Sequence, residues 1–286
     1  MSGVLLAIVA LFGWGIADFF VQRATRKVGV AATMFSGSLF GVVVVLPFVF
    51  RDLGKLARPE HAAILTAFAV IGLITALFNL EAFRKGKLAV VGPIMGIELP
   101  ITILLAVALR AERLTAIQGG FMAAVFLGIF LTATKDPFAF GRKPWEKGAL
   151  LALVGAVGLG VFNFLTGVVS QDVSPLLAVW FSRAVFVAVF GAFLTLKGRM
   201  RAAMEAARRH APLVFGLSAL YLIASVAYGI SVTLIPISIA TTVSENYIVV
   251  AAILGVAINK EKLALHQALG AVVAVAGILA LAWAGT

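Results

Sequence analysis

The chain has 286 residues, 62% of them hydrophobic and 12% charged, with a mean hydropathy of +1.11 and a formal net charge of +11. Soluble domains run at about 45–50% apolar and about 25% charged, and disordered chains depart in the opposite direction, so both classes are excluded. The absence of cysteine removes disulfide scaffolds and thiolate metal sites as well.

Ten apolar segments follow one another, at about 3–22, 29–50, 62–80, 88–109, 114–134, 148–170, 174–196, 211–233, 236–258 and 264–284. Each is close to the ~20 residues that span a hydrocarbon core. Backbone groups in hydrocarbon must bond within their own segment, and strict alternation is missing. The segments are therefore predicted as helices and the fold as all-α integral membrane. The first is not a cleavable signal peptide: no basic region leads it, and Asp18 and Gln22 stand where a small-residue cleavage site would follow. The connections are short. The stretch 135–147 holds Pro137 and Pro144 and reads as a linker between units 1–134 and 148–286. The stretch Lys197 to His210 fits a short basic helix on the membrane surface or a solvated loop equally well.

Seventeen of the 23 basic residues fall in connections 1–2, 3–4, 5–6, 7–8 and 9–10. Five (Arg51, Lys55, Arg58, Arg110 and Arg113) fall on the opposite side, and Arg183 lies inside a span. Positive charge so divided is a topology signal and not a groove for nucleic acid. The positive-inside rule puts the seventeen in the cytoplasm and both termini outside.

An internal repeat is visible. Gly3-Val4-Leu5-Leu6-Ala7 is similar to Gly148-Ala149-Leu150-Leu151-Ala152, and Gly13, Gly15, Asp18 and Phe19 correspond to Gly158, Gly160, Asn163 and Phe164, all at an offset of 145. Glu112-Arg113-Leu114, Gln118 and Gly128 correspond to Glu261-Lys262-Leu263, Gln267 and Gly277 at an offset of 149. Five spans per unit is an odd number, so the second unit is expected to insert upside-down. Inverted repeats are the architecture of secondary transporters, with the substrate site near the midplane.

The stretch Glu98-Leu99-Pro100-Ile101-Thr102, followed by Arg110-Ala111-Glu112-Arg113-Leu114-Thr115 and Gln118-Gly119-Gly120, resembles the fourth and fifth helices of EamA-type carriers of the drug/metabolite transporter superfamily. A second copy runs from Glu245 through Asn259-Lys260-Glu261-Lys262-Leu263 to Gln267 and Gly270, without the proline, and Phe12-Gly13-Trp14-Gly15 resembles the first helix of that family. The resemblance implies ten transmembrane helices in two inverted five-helix repeats around a central cavity. The family's substrates include amino acids, other metabolites, cationic drugs and nucleotide-linked sugars.

Ionisable groups inside spans cost about 2.5–3.5 kcal/mol on insertion scales and so face a cavity or a partner. Glu98, Glu245, Arg183 and Asp18 are of this kind. Glu98 and Glu245 are read as substrate ligands or proton-coupling groups, since a carboxyl in low dielectric can load and release a proton near neutral pH. Packing roles are the competing reading. Arg183 either pairs with one of the glutamates, the favoured role for a buried guanidinium, or binds a substrate carboxylate. Asp18 either lines the cavity mouth or is simply hydrated, and Asn163, its repeat counterpart, marks a polar point facing the same space. Trp14, Asn79, Tyr228 and Asn246 join the expected pocket because their spans carry other polar groups. Trp180, Tyr221 and Tyr247 either shape the pocket as well or serve in packing and interfacial anchoring, the commoner role of such rings. Gly37 to Gly41 and Gly155 to Gly160 indicate close helix contact, and Pro93, Pro100 and Pro236 mark places where helices bend.

Enzyme motifs are absent, the three histidines show no metal spacing, and no cofactor is expected. The expected function is secondary transport of a small polar or amphipathic metabolite across the plasma membrane of a prokaryotic cell. Three acids against one arginine lean toward a cationic or zwitterionic substrate, an amino acid or organic amine. The lipid bilayer, the substrate and protons are the expected partners, with the chain a monomer or homodimer. A passive channel, a scaffold subunit and, more remotely, an enzyme acting on lipid-linked substrates are the alternatives.

Overall fold

The computed structural model describes residues 1–85, 94–133, 147–247, 249–250, 254 and 264–284. They form helices joined by short turns, with no strand among them. The helices are α1 (Ser2–Val28), α2 (Val30–Val49), a 3-10 helix (Phe50–Ala57), α3 (Pro59–Lys85), α4 (Glu98–Arg110), α5 (Ala116–Ala133), α6 (Lys147–Asp172), α7 (Pro175–Leu196), α8 (Met200–Arg209), α9 (Ala211–Leu234), α10 (Ile237–Ser244) and α11 (Leu265–Ala284). Among the described residues, Val30–Ala57, Pro59–Asn79, Leu150–Asp172, Pro175–Leu196 and Ala211–Leu234 are long and apolar enough to cross a bilayer. Ser2–Ala17, Ala116–Thr132 and Leu265–Leu281 are shorter apolar helices. Pro93 and the 135–147 linker, apart from Lys147, lie outside the described residues.

Polarity is arranged for a hydrocarbon solvent. Val43, Phe48, Leu104, Ile117, Val272 and Leu279 are 62–70% exposed, whereas Thr102, Ser231, Ser238, Thr241, Thr242 and Ser244 are fully buried. A soluble protein could not keep so much large apolar side chain at its surface. The connection at 197–210, which the sequence left open, is the helix α8. Its Ala203 and Ala207, one turn apart, face the bundle, and Arg201, Glu205, Arg208 and Arg209 face outward.

Local chemistry sets the helix ends. One residue, Gly29 at φ 90°, separates α1 from α2. A Cβ there would touch nothing within 4 Å, so the backbone conformation and not space selects glycine. Ala111 closes α4 in the left-handed region at φ 52°, where a side chain is disfavoured. Since Ala111 is exposed, Ala111→Gly should raise the free energy of unfolding by about 1 kcal/mol. Thermal melting in detergent checks this, and a lower melting temperature would contradict it. The repeated glutamine also has a local role. Gln118 Oε1 accepts from Thr115 N–H at 3.0 Å while Thr115 Oγ1 accepts from Gln118 N–H at 3.2 Å, a reciprocal capping box at the start of α5. In the second unit Gln267 Oε1 accepts from Ala264 N–H at 2.9 Å, and alanine at the cap leaves only that half.

The packing repeats with the sequence. Helix α1 lies along α9 and α3 along α6, α2 pairs with α7 and α5 with α11, and α4 leans on α6 as α10 leans on α1. The glycines give the register. A side chain at Gly13 would meet Ala224 Cβ at 2.9 Å, and one at Gly158 would meet Thr75 Oγ1 at 2.5 Å. A Cβ at Gly15 would stand 3.0 Å from the Tyr247 carbonyl oxygen, as one at Gly160 would stand 2.8 Å from that of Glu98. A Cβ at Gly128 would stand 2.6 Å from Gly270 O and Ala274 N, and one at Gly277 would stand 3.4 Å from Phe121 O and 3.5 Å from Val125 N. Each second contact is the first with its residues exchanged for their repeat counterparts, the mark of a pseudo-two-fold axis. Along α5 the partner positions on α11 fall as α5 residue numbers rise, and Phe35 faces Gly191 while Gly41 faces Arg183. Equivalent helices thus run antiparallel.

Candidate functional site

The fourth and ninth predicted segments are interrupted where the sequence places its glutamates. In the first unit a turn at Gly96–Ile97 precedes α4, and in the second a turn at Glu245–Asn246 follows α10. The two turns are 149 residues apart, the offset that also relates Glu98 to Tyr247 through their contacts with Gly160 and Gly15. The two glutamates are therefore not structural counterparts. Glu245 sits on its turn, and Glu98 sits two residues beyond its own. Pro100 falls within the first turn of α4, where a missing N–H costs no helical bond.

At the second turn Asn246 N–H reaches Val243 O at 3.4 Å, and the Thr242 carbonyl is taken by Asn246 Nδ2 at 2.8 Å. One side chain thus repairs the gap that the turn opens in its own helix. Asn246 is 1% exposed.

These turns flank a cavity of about 490 Å³ with walls from both units. Six of the expected site residues line it: Trp14 of α1, Asn79 of α3, Asn163 of α6, Arg183 of α7, Tyr228 of α9 and Glu245. Glu98 (1% exposed) and Asn246 are buried but are not among the lining residues. The side chain of Asp18 lies outside the described residues.

The polar groups form a chain on one side of the cavity. Asn163 Nδ2 donates to Glu245 Oε1 at 3.1 Å, Tyr228 Oη is 2.7 Å from Thr241 Oγ1, and it approaches the Asn163 carbonyl at 3.5 Å. Trp14 stands against this group, its ring centroid 5.4 Å from Tyr228 and 6.4 Å from Tyr247. Phe68 and Phe162 stack at 4.7 Å on the α3–α6 wall. Across the cavity, Arg183 occupies the space that a side chain at Gly41 would need, and its Nη2 donates to Ser225 Oγ at 3.4 Å. Among the described residues it has no carboxylate within 4 Å, so the favoured ion pair with Glu98 or Glu245 is not formed in this structure.

Tyr221 and Tyr247, for which the sequence left pocket and packing roles open, line the cavity. The hydroxyls Thr33, Ser38, Thr75, Ser182, Ser218 and Ser225 also line it and were missed by the sequence reading. The small-residue spacings were a signal for them. Gly37 clears room for Ser218, Gly41 for Arg183, Gly155 for Asn79 and Gly158 for Thr75. A second missed residue is Glu112, whose carboxylate accepts from Ile237 N–H (2.6 Å), Ser238 N–H (3.1 Å) and Ser238 Oγ (2.6 Å). It caps α10, whose first residues follow Pro236 and have no helical partner for their N–H groups.

A search of curated proteins returns no match. A protein of known crystal structure superposes with a TM-score of 0.75 at 17% sequence identity, covering 99% of this chain and 97% of that chain, a likeness of fold. The profile of the EamA-like transporter family matches residues 1–134 and again residues 146–283. Two copies of one family unit, packed around a polar cavity under an apolar exterior, make this chain a member of the EamA-like transporter family of the drug/metabolite transporter superfamily, a multi-pass membrane transporter.

Proposed function

We propose that this chain is a secondary active transporter that moves a small polar or amphipathic metabolite across the plasma membrane by alternating access, its two five-helix repeats inserted oppositely to give ten crossings. The observation that carries the reading is a cavity walled by counterpart helices that run antiparallel. Two similar halves related in this way can exchange conformations. One pair of packings then serves both the outward-open and the inward-open state. Seventeen basic residues in the connections of one face orient the termini outward.

Counterflow in proteoliposomes tests this. Uptake should be stimulated by, and saturate with, substrate on the opposite side. Conductance without such stimulation would make the chain a passive channel.

Proton coupling is assigned to Glu245, because it borders the cavity and is held by Asn163, with Glu98 as a secondary candidate. Glu245→Gln should flatten the pH dependence of uptake. Unaltered transport in both Glu98→Gln and Glu245→Gln would remove these carboxylates from the coupling step.

A further inference from the structure

We infer that the transported molecule carries a carboxylate as well as a protonated amine, and that Arg183 is the docking point for that carboxylate. The inference rests on the carrier reading and narrows its substrate class to zwitterions, setting simple organic amines aside.

Charge balance is the first argument. The sequence lean toward a cationic or zwitterionic substrate counted three acids against one arginine, whereas among the described residues the cavity is lined by one basic and one acidic side chain, Arg183 and Glu245. Glu245 already receives a hydrogen bond from Asn163. Arg183 presents five N–H donors, and its partners among the described residues are neutral: Ser225 Oγ at 3.4 Å and the nearby Tyr221 side chain. A guanidinium within a span is costly unless a counter-charge offsets it. The protein holds it in place nonetheless: Gly41 on α2 leaves the space that the arginine stem fills.

The second argument is the polarity of the walls. Thr33, Thr166, Ser218 and Ser225 each donate their single proton to the carbonyl four residues earlier, at 2.9, 2.8, 2.6 and 2.7 Å. What they offer the cavity is lone pairs. Such walls suit an ammonium group, and Glu245 adds charge to them, whereas an anion has Arg183 as its anchor. Ser225, which touches Arg183, and Tyr228, on the Asn163–Glu245 side, are three residues apart on α9, so neighbouring turns of one helix carry a contact of each charged wall. The cavity volume lies within the range of about 300–1,000 Å³ that holds small ligands, and the rings of Trp14, Tyr221 and Tyr247 suit an apolar side chain.

The test uses four matched probes on the purified full chain: phenylalanine, phenylalaninamide, phenethylamine and 3-phenylpropionate. Phenylalanine should raise the melting temperature in proportion to its binding, and each analogue lacking a charge should bind about 30-fold more weakly or worse. Arg183→Gln should lose discrimination between phenylalanine and its amide. Gly41→Ala keeps every charge but displaces the guanidinium, and should weaken the two carboxylate-bearing probes, phenylalanine and 3-phenylpropionate, while sparing the amide and the amine. Without ligand, Arg183→Met should melt higher than wild type, since an uncompensated charge is gone. A guanidinium held in a structural pair would give the reverse. Phenethylamine binding as tightly as phenylalanine, no stabilisation by phenylalanine or any other amino acid, or a lower ligand-free melting temperature for Arg183→Met overturns the assignment. Counterflow of an amine with Arg183→Gln unimpaired would overturn it while leaving the carrier reading in place.

Discussion

Glu112→Ala should lower the free energy of unfolding by about 3 kcal/mol, because hydrogen bonds to a charged group contribute about 1.5–3 kcal/mol each and deletion strands buried donors. The carboxylate takes three donors from Ile237 and Ser238, and the half-buried site reduces the sum. It also faces the positive end of α10, where a negative charge is favoured. Glu112→Gln keeps one acceptor oxygen and no charge, so it should lose roughly half as much. The measurement is thermal or denaturant unfolding in detergent, read by tryptophan fluorescence. An alanine variant within about 0.5 kcal/mol of wild type would show that the cap is not holding α10.

Gly128→Val should leave little folded protein. Between α5 and α11 the backbones touch: a Cβ at Gly128 would stand 2.6 Å from both Ala274 N and Gly270 O. Backbone cannot move aside as a flexible side chain can, so even Gly128→Ala should cost about 1–3 kcal/mol. Gly216 on α9 is the internal control, since nothing lies within 4 Å of a Cβ built there. Gly216→Ala should be neutral or stabilising by up to about 1 kcal/mol. Monodispersity and melting temperature of the three variants check the contrast. Equal behaviour of Gly128→Val and Gly216→Ala would refute the close crossing.

Much of this architecture is legible in the chain because the bilayer imposes a length and a polarity on every segment. The segments at 29–50, 62–80, 148–170, 174–196 and 211–233 contain or overlap the five long apolar stretches of the structure. The repeat was legible because Gly13, Gly15, Gly158 and Gly160 are fixed by close contacts, and Gln118 and Gln267 by their capping bonds. The different surroundings of the two glutamates left a trace in the sequence. Their spacings to the next matched glutamate differ by two residues, and a helix turns by about 200° over two residues. That shift is enough to bring Glu245 to the cavity and leave Glu98 off its wall. The hydroxyl lining escaped notice because Ser and Thr in apolar helices satisfy themselves on the preceding turn wherever they point. The part played by Glu112 escaped because its partners, Ile237 and Ser238, lie 125 and 126 residues away.

The exchange of helices between units bears on how the protein is made. Helix α1 finds its long partner in α9, and α3 finds its partner in α6. During synthesis the amino-terminal half enters the bilayer with the glycine faces at Gly13 and Gly72 uncovered, since Ala224 and Phe162, which close over them, have yet to be translated. Neither half can settle before the other arrives. Assembly is consequently a late, cooperative event whose rate is governed by distant contacts.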